Sequence, residues 1–537
     1  MSGDESDIVV IGAGHNALAA AAYLAKAGLS VTVLEARDTI GGGTMTEELT
    51  GPGFLHDTFS TGHPWLLTNP IYTADELEIF RAGLSYVGND PIVVFPFPDG
   101  ESITVWRDKH RTAAELARFS RRDAETWIEH YDEWERLYPV HLARSTHAPG
   151  ENPAPSGSEA EAKYCDLLTK SCWETTHERF ESEHVRGMVL WFGMVVVQPI
   201  DKPGTGLYPL SVPTGWSDYG WLNPVGGSRR LPDSLAERVK QHGGRILTGT
   251  RVVRIEIEGG RAAGVRTADG RSFGARKAIV SSMHFANLPN ALSVSLPSAF
   301  MDGVKKWRSG PSLFVVYLAV HANQRVRTRD GSIAAVLGAQ STVEGVRQQL
   351  RNTVEERVST SEPYILAACS TWIDPSRAPE GKGTVKIITF APFALDGDPS
   401  NWETHKAEYA EFLVAEYARL VVGFQAGDEL GRHAHSPLDI ERINPSYYRG
   451  AAQGGEMLPD QMGENRPVKG WANYRLPVPG LYQTGTSAHP GGPVSGWPGR
   501  HAARAVLEDL QIDWQKVMPG EATGQPPNFP VIDTSRF

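Results

Sequence analysis

The apolar and polar positions of the chain fall into short strand-type runs and longer helical ones. Asp7-Ile8-Val9-Val10-Ile11 is an apolar run that stops at Gly12, Leu18 to Ala27 is an alanine-rich helical stretch ended by Gly28, and Leu29 to Leu34 is a second strand closed by Glu35. Further on, a helical run from Leu231 to His242 leads into Gly243 to Leu247, Thr250 to Ile255, Gly264 to Arg266 and Lys277 to Ser282, a set of short strands. Residues 311–320 read as a buried strand. Tyr364 to Ile373 and Thr384 to Phe393 read as two more, joined by Asp374-Pro375-Ser376 and the turn Gly381-Lys382-Gly383, so an antiparallel sheet is expected there. Gly187 to Val197 is the longest apolar run, about half of the ~20 residues that cross a bilayer. It reads as a core helix.

The first strand ends in Gly12-Ala13-Gly14-His15-Asn16-Ala17, which gives the pattern chemistry. Gly12 permits a tight turn, Gly14 lets backbone approach a pyrophosphate, and the following helix N-terminus, beginning with His15 and Asn16, presents free N–H groups to its oxygens. Ala17 stands where a third glycine is usual, in the GxGxxA form of the fingerprint. Glu35 lies 21 positions beyond Gly14, where an acidic residue reaches a ribose hydroxyl and disfavours a 2′-phosphate. Strand, turn, helix, strand and acid in register predict a Rossmann-type unit. NAD and FAD are both open at this point. Ala36-Arg37-Asp38-Thr39-Ile40-Gly41-Gly42-Gly43-Thr44 then carries the chain into a triple glycine, as in flavoproteins whose second glycine loop runs along the dinucleotide toward the flavin, with Gly42, Gly43 and Thr44 against it.

At the other end, Pro479-Gly480-Leu481-Tyr482-Gln483-Thr484-Gly485-Thr486 reads as a strand and turn. Ser487-Ala488-His489-Pro490-Gly491-Gly492-Pro493-Val494-Ser495-Gly496 follows, and a helix runs from Pro498 to about Leu510. With the N-terminal block, Gly53-Phe54 and His56-Asp57, these residues resemble the phytoene desaturase-like family of FAD-dependent oxidoreductases. The resemblance implies FAD as cofactor. It implies that Gly485, Val494, Ser495 and Gly496 wall the flavin, with the last helix aimed at its N1–C2 edge, and that Val252 offers its backbone to adenine. Thr484-Gly485-Thr486 departs from the Gly-Asp pair with which many flavoproteins bind ribityl hydroxyls.

The expected fold is therefore α/β: a discontinuous FAD-binding domain (1–53, 222–286 and 470–512), an inserted mixed α+β substrate domain built on an antiparallel sheet (54–221 and 287–469), and a surface tail over 513–537. A chain of 537 residues is long enough for two such cores. A net charge of −11 offers no basic patch for nucleic acid. Cys165, Cys172 and Cys369 show no metal spacing, and Met1 to Ser6 lacks a basic start and apolar core, so a cytoplasmic protein is expected, with peripheral membrane contact left open. Ala148 to Ser158, rich in Pro, Gly and Ser, reads as an exposed loop or small lid.

Transfer to a flavin needs a substrate C–H bond held over the ring more than it needs side chains. His489 is the first candidate for a base, and His63 in Thr61-Gly62-His63-Pro64-Trp65 the second. Trp65, Trp173, Trp191, Trp216, Trp221 and Trp497 are candidates to line a pocket for an apolar small molecule. The expected activity is a desaturase that removes two hydrogens from adjacent carbons of a carotenoid, isoprenoid or cyclic compound, with oxygen, a quinone or another compound as acceptor. A redox-neutral flavin isomerase and a non-catalytic escort protein of the same architecture are the alternatives.

Overall fold

A computed structural model describes residues 4–151, 157–322, 324–326, 334–339, 342–518 and 528–536. Its first sheet is built on the strand Asp4–Ile11, whose Ile8, Val9 and Val10 are fully buried because parallel neighbours and helices cover both faces. Val31–Leu34 lies on one side and Ser272–Ser281 on the other. Arg245–Leu247 and Leu481–Gln483 extend the parallel array, and the hairpin Val252–Glu258 with Arg261–Thr267 is added antiparallel to Ser272–Ser281. The first strand starts three residues before the apolar run because Asp4, Glu5 and Ser6 pair with Phe273, Gly274 and Ala275 across a register shift.

The helix His15–Lys26 follows Gly14 directly and crosses the helix Trp497–Asp509. Their approach depends on Gly499: a Cβ there would lie 2.2 Å from the Asn16 carbonyl oxygen and 2.9 Å from Ala19 Cβ. The alanines of the first helix thus serve close packing, since Ala19 to Ala22 are fully buried.

The second sheet has the order Glu429–His435, Ser312–Val320, Gly383–Ala391, Ile365–Ala368, Val336–Ala339, Val93–Pro96, Ser102–Val105. It is antiparallel except where Leu337 pairs with Val94. The strand expected over 364–373 stops at Ala368, where the chain turns into the short 3-10 helix Ser370–Trp372. Gly187 to Val197 belongs mostly to the helix Glu183–Met194, a core helix in which Val185 and Met188 to Phe192 are fully buried. No helix among the described residues is long and apolar enough to cross a membrane. Part of the expected loop, 152–156, lies outside the described residues, as does 519–527 of the tail.

The end of the tail is more than a surface wrap. Val531–Asp533 pairs in parallel with Tyr86–Asp90, and Phe529 packs among Tyr72, Phe80, Tyr86 and Tyr219. An apolar ring in a Pro- and Gly-rich tail thus joins the core of the first sheet.

Candidate functional site

A continuous cavity of about 1330 Å³ lies between the two sheets. Ile11, Leu34, Ser282 and Gly485 place it at the carboxyl ends of four parallel strands, where open α/β sheets bind ligands. The opposite wall is one face of the antiparallel sheet, read off the two-residue repeat of Leu313 and Val315, and of Lys386, Ile388 and Phe390. Trp65, Tyr131, Trp134, Tyr164 and Val212 close the far end. Its volume exceeds the ~300–1,000 Å³ usual for one drug-sized ligand, enough for a dinucleotide and a second molecule.

The glycine path forms one side. Gly12, at φ +92°, donates its N–H to the Leu34 carbonyl at 2.8 Å, and a Cβ there would lie 2.2 Å from Ser282 Oγ. Gly41 N–H donates to the Ala13 carbonyl at 2.9 Å, and a Cβ on Gly42 would sit 2.8 Å from Gly14 Cα, so the two glycine loops pack backbone to backbone. Glu35 ties them together: Oε2 accepts from Ala13 N–H at 2.7 Å and Oε1 from Arg37 N–H at 2.9 Å. Both helices that meet here begin without a side-chain cap, the first at Gly14 and the last at Gly496, which is left-handed at φ +76°. The first helix leaves its N–H groups free; in the last, Trp497 N–H donates to Ser495 Oγ at 3.3 Å and Pro498 has none, so that helix adds its dipole, and together they make this end of the cavity electropositive. Around them, both ring nitrogens of His15, Asn16 Oδ1 and Arg37 Nε are buried without a hydrogen-bond partner. Buried polar groups left in that state call for a ligand, and a dinucleotide supplies acceptors and donors for all of them.

Of the residues expected at the cofactor, Gly12, Gly14, His15, Asn16, Glu35, Ala36, Arg37, Gly42, Gly43, Val252, Gly485, Val494 and Ser495 line the cavity. Ala13, Thr44 and Gly496 sit just behind its wall: the Ala13 N–H is held by Glu35, Thr44 Oγ1 donates to the Gly41 carbonyl at 2.8 Å, and Gly496 is the helix N-cap. Trp65, Trp216, Trp221 and Trp497 also line it. Trp173 and Trp191 do not. Trp173 stacks on His177, and Trp191 is fully buried in the core with its Nε1–H donated to the Ile365 carbonyl at 3.0 Å.

The two candidate histidines separate clearly. His63 is fully buried behind the wall, with Nδ1 3.0 Å from Tyr86 Oη and Nε2 3.1 Å from Ser228 Oγ; neither nitrogen is left for a substrate, which corrects its expected catalytic placement. Burial pushes its pKa down to about 3. His489 lines the cavity, and neither of its ring nitrogens has a well-formed hydrogen bond. Burial, reinforced by Arg466, holds its pKa down to about 4 against a small opposing pull from the His147 backbone, so the ring is neutral at pH 7.

Sequence reasoning missed Lys386. It lies in the strand Gly383–Ala391, is 6% exposed, and lines the cavity. Its Nζ donates to the Phe59 carbonyl and to Thr61 Oγ1, the latter at 3.3 Å. Behind it stands a buried charge cluster: Arg377 pairs with Asp57 at 2.5 Å and Asp374 at 3.0 Å, and Asp57 also accepts from Thr46 Oγ1 and Ser228 N–H. Desolvation would raise the Asp57 pKa, but Arg377, the Ser228 N–H and the Lys386 charge bring it below its ordinary value. The signal in the sequence was a lone charge inside the apolar run Thr384 to Phe393.

Comparison with known proteins agrees with this geometry. The chain is 28% identical to one of the subunits of limonene dehydrogenase from Castellaniella defragrans, over 96% of this chain and 97% of that one. It is 25% identical to the lycopene-forming phytoene desaturase of Pantoea ananas, over 93% and 99%. The solved structure of cyclohexylamine oxidase from Brevibacterium oxydans superposes with a TM-score of 0.56 at 19% identity, covering 94% of this chain and 99% of that one, which shows a shared fold. Residues 18–507 match the family model for flavin containing amine oxidoreductases. FAD is the cofactor, and the chain belongs to the flavin-containing amine oxidoreductase family as a phytoene desaturase-like, FAD-dependent oxidoreductase.

Proposed function

We propose that this oxidoreductase is a dehydrogenase that introduces a carbon–carbon double bond into a largely apolar small molecule, an isoprenoid, a carotenoid or a cyclic compound. The observation that carries the reading is the continuity of one cavity. Its glycine path and two helix N-termini pass directly into a chamber walled by Trp65, Trp134, Tyr164, Val212, Leu313 and Ile388. Limonene dehydrogenase and phytoene desaturase, both named for removing hydrogen, support it.

In this reading Gly12, Gly14, His15 and Asn16 hold the pyrophosphate, Glu35 the adenosine ribose, and Val252 the adenine. Gly42, Gly43, Gly485, Val494 and Ser495 lie along the remainder of the cofactor. When bound, FAD supplies the two-electron acceptor. The protein's part is to exclude water, to press the substrate C–H bond toward the acceptor, and to take up a proton. The aromatic chamber does the first two. His489, neutral and without a fixed partner, offers one donor and one acceptor at the wall.

Anaerobic mixing with acyclic isoprenoids, monocyclic terpenes, carotenoid precursors and cyclic amines tests the reading, because flavin bleaching reports the substrate whatever the later acceptor. Bleaching by one hydrocarbon class, with a product two hydrogens lighter, is the expected result. Bleaching by the amines alone would overturn it.

A further inference from the structure

Lys386 is an isolated buried amine. Among the described residues no carboxylate lies within ion-pair distance of it; its bonded partners are the Phe59 carbonyl and Thr61 Oγ1. A neutral amine has two N–H donors and one lone pair, and these two oxygens satisfy the two donors. The remaining position of Nζ is available to the cavity that the residue lines. An ammonium in the same place carries a third N–H with no fixed acceptor, at a cost for a desolvated charge.

The surroundings leave this amine poised. Its cross-strand neighbours are Tyr317, whose ring centroid is 5.9 Å from Nζ, and Ala368. Burial lowers its pKa to about 8; the negative Asp57 opposes the fall and the positive Arg377 deepens it. His56 and His435, which also feel its charge, are held neutral mainly by burial, each with its pKa down to about 3. The Asp57–Arg377–Asp374 cluster therefore fixes the local field without neutralising Lys386 by contact. Glu135 and Asp218, the carboxylates at the far end of the cavity, are exposed at its rim.

We propose that Lys386, as the neutral amine, is the base that receives the proton lost from the substrate carbon next to the one oxidised. This rests on the dehydrogenase reading above. The electron pair of the second C–H bond becomes the second pair of the new double bond, and the proton joins Nζ to give an ammonium. The electron pair of the first C–H bond, with its hydrogen, is taken by the oxidant, FAD. The ammonium later returns its proton to water through the cavity mouth. At pH 7 a base of this kind is neutral in roughly a tenth of the molecules, whereas His489, with its lower pKa, is always neutral but a far weaker acceptor.

The test uses the FAD-loaded enzyme and Lys386→Arg. Arginine keeps the charge and can reach the same two oxygens, but it does not deprotonate. Expected are unchanged FAD content, anaerobic bleaching slower by on the order of 10²–10⁴-fold, and loss of a rise in rate through about pH 8 that the unsubstituted enzyme shows. An arginine variant with the parent rate and pH profile overturns the base role and leaves a structural lysine. A second measurement does not depend on turnover or on the variant folding. Competitive acetylation with trace acetic anhydride, read by peptide mass spectrometry, should titrate Lys386 with a midpoint near 8; a midpoint above about 10, like that of a surface lysine, overturns the proposal. If no hydrocarbon bleaches the unsubstituted enzyme, the dehydrogenase reading falls and takes this role with it; a parent-like arginine variant sinks the lysine alone.

Discussion

Removing the Glu35 carboxylate tests the cofactor site at its most connected point. The side chain has four lone-pair directions, and two are used by the Ala13 and Arg37 N–H groups at 2.7 and 2.9 Å. The other two remain for the hydroxyls of a ribose, which is the geometry a Rossmann acid needs. A charge-assisted hydrogen bond contributes about 1.5–3 kcal/mol, so losing the ribose contact alone weakens binding by roughly ten- to a hundredfold at 1.4 kcal/mol per tenfold. Glu35→Ala also frees the Ala13 and Arg37 N–H groups and loosens the contact between the two glycine loops, which adds to the loss. Glu35→Gln separates these effects. Its single oxygen can serve only one of the two N–H groups, and its amide faces the other, donor against donor. The glutamine variant should therefore bind FAD about as poorly as the alanine variant rather than rescue it. The assay is titration of the flavin-stripped protein with FAD, followed by flavin fluorescence, with thermal unfolding of the stripped protein as a control. An alanine variant with the parent FAD affinity, or a glutamine variant restored to it, would refute the assignment.

His489→Ala should keep its FAD and bleach about tenfold more slowly, the worth of one hydrogen bond; a drop of 10²–10⁴-fold in stopped-flow would make His489 the base instead, and loss of flavin would make it a prop for the turn. Gly499→Val should lower the melting temperature and the flavin content together, because overpacking a helix crossing with a 2.2 Å contact costs about 1–3 kcal/mol or more; a melting curve unchanged from the parent would contradict the crossing. Acid should destabilise the fold: His15, His63 and His489 have folded pKa values of about 4, 3 and 4 against 6.5 unfolded, so the unfolded chain binds more protons between those limits, and stability present above pH 6.5 is lost as pH falls toward 4. Urea midpoints equal at pH 7.5 and pH 5 would show that the three rings are not held neutral. Arg377→Met should cost about 3–5 kcal/mol of stability by stranding Asp57 and Asp374 in the core, a loss measurable in the same urea titration.

The parts legible in the sequence are those governed by neighbours in the chain. Asp7 to Glu35 spells out its own strand, turn, helix and strand, because each glycine acts where the backbone must turn and each apolar run faces inward at its own period. The triple glycine and the terminal Gly496 are similar: their meaning lies in φ angles and close approach, which composition betrays. His63 was misplaced for the opposite reason. The motif around it does line the cavity, through Gly62 and Pro64, but the 3-10 turn that starts at Pro64 swings the imidazole back onto Tyr86 and Ser228, residues 23 and 165 positions away. No local pattern encodes those partners. Phe529 in the tail is another such case, since its aromatic neighbours are drawn from segments several hundred residues earlier.

The same limit explains why the polar interior of the site was invisible while its glycine frame was not. Asp57 and Arg377 are 320 positions apart, and Lys386 meets Phe59 and Thr61 only because Tyr317, the strand partner opposite it, draws the same segment in by donating to the Thr58 carbonyl. Ser60 N–H in turn donates to the Gly43 carbonyl at 3.1 Å, so this segment binds the second glycine loop on one side and the antiparallel sheet on the other. It is the seam between the cofactor half of the cavity and the apolar half. A charge on Lys386 is consequently felt at that seam, in front of a cluster in which one cation, Arg377, faces two carboxylates, Asp57 and Asp374, and a net negative charge remains. Thr61→Val should therefore lower the Lys386 acetylation midpoint by removing an acceptor that steadies the ammonium, without altering FAD content. A midpoint that stays put would mean that Thr61 contributes nothing to the poise of the amine, and that the Phe59 carbonyl and Asp57 set it alone.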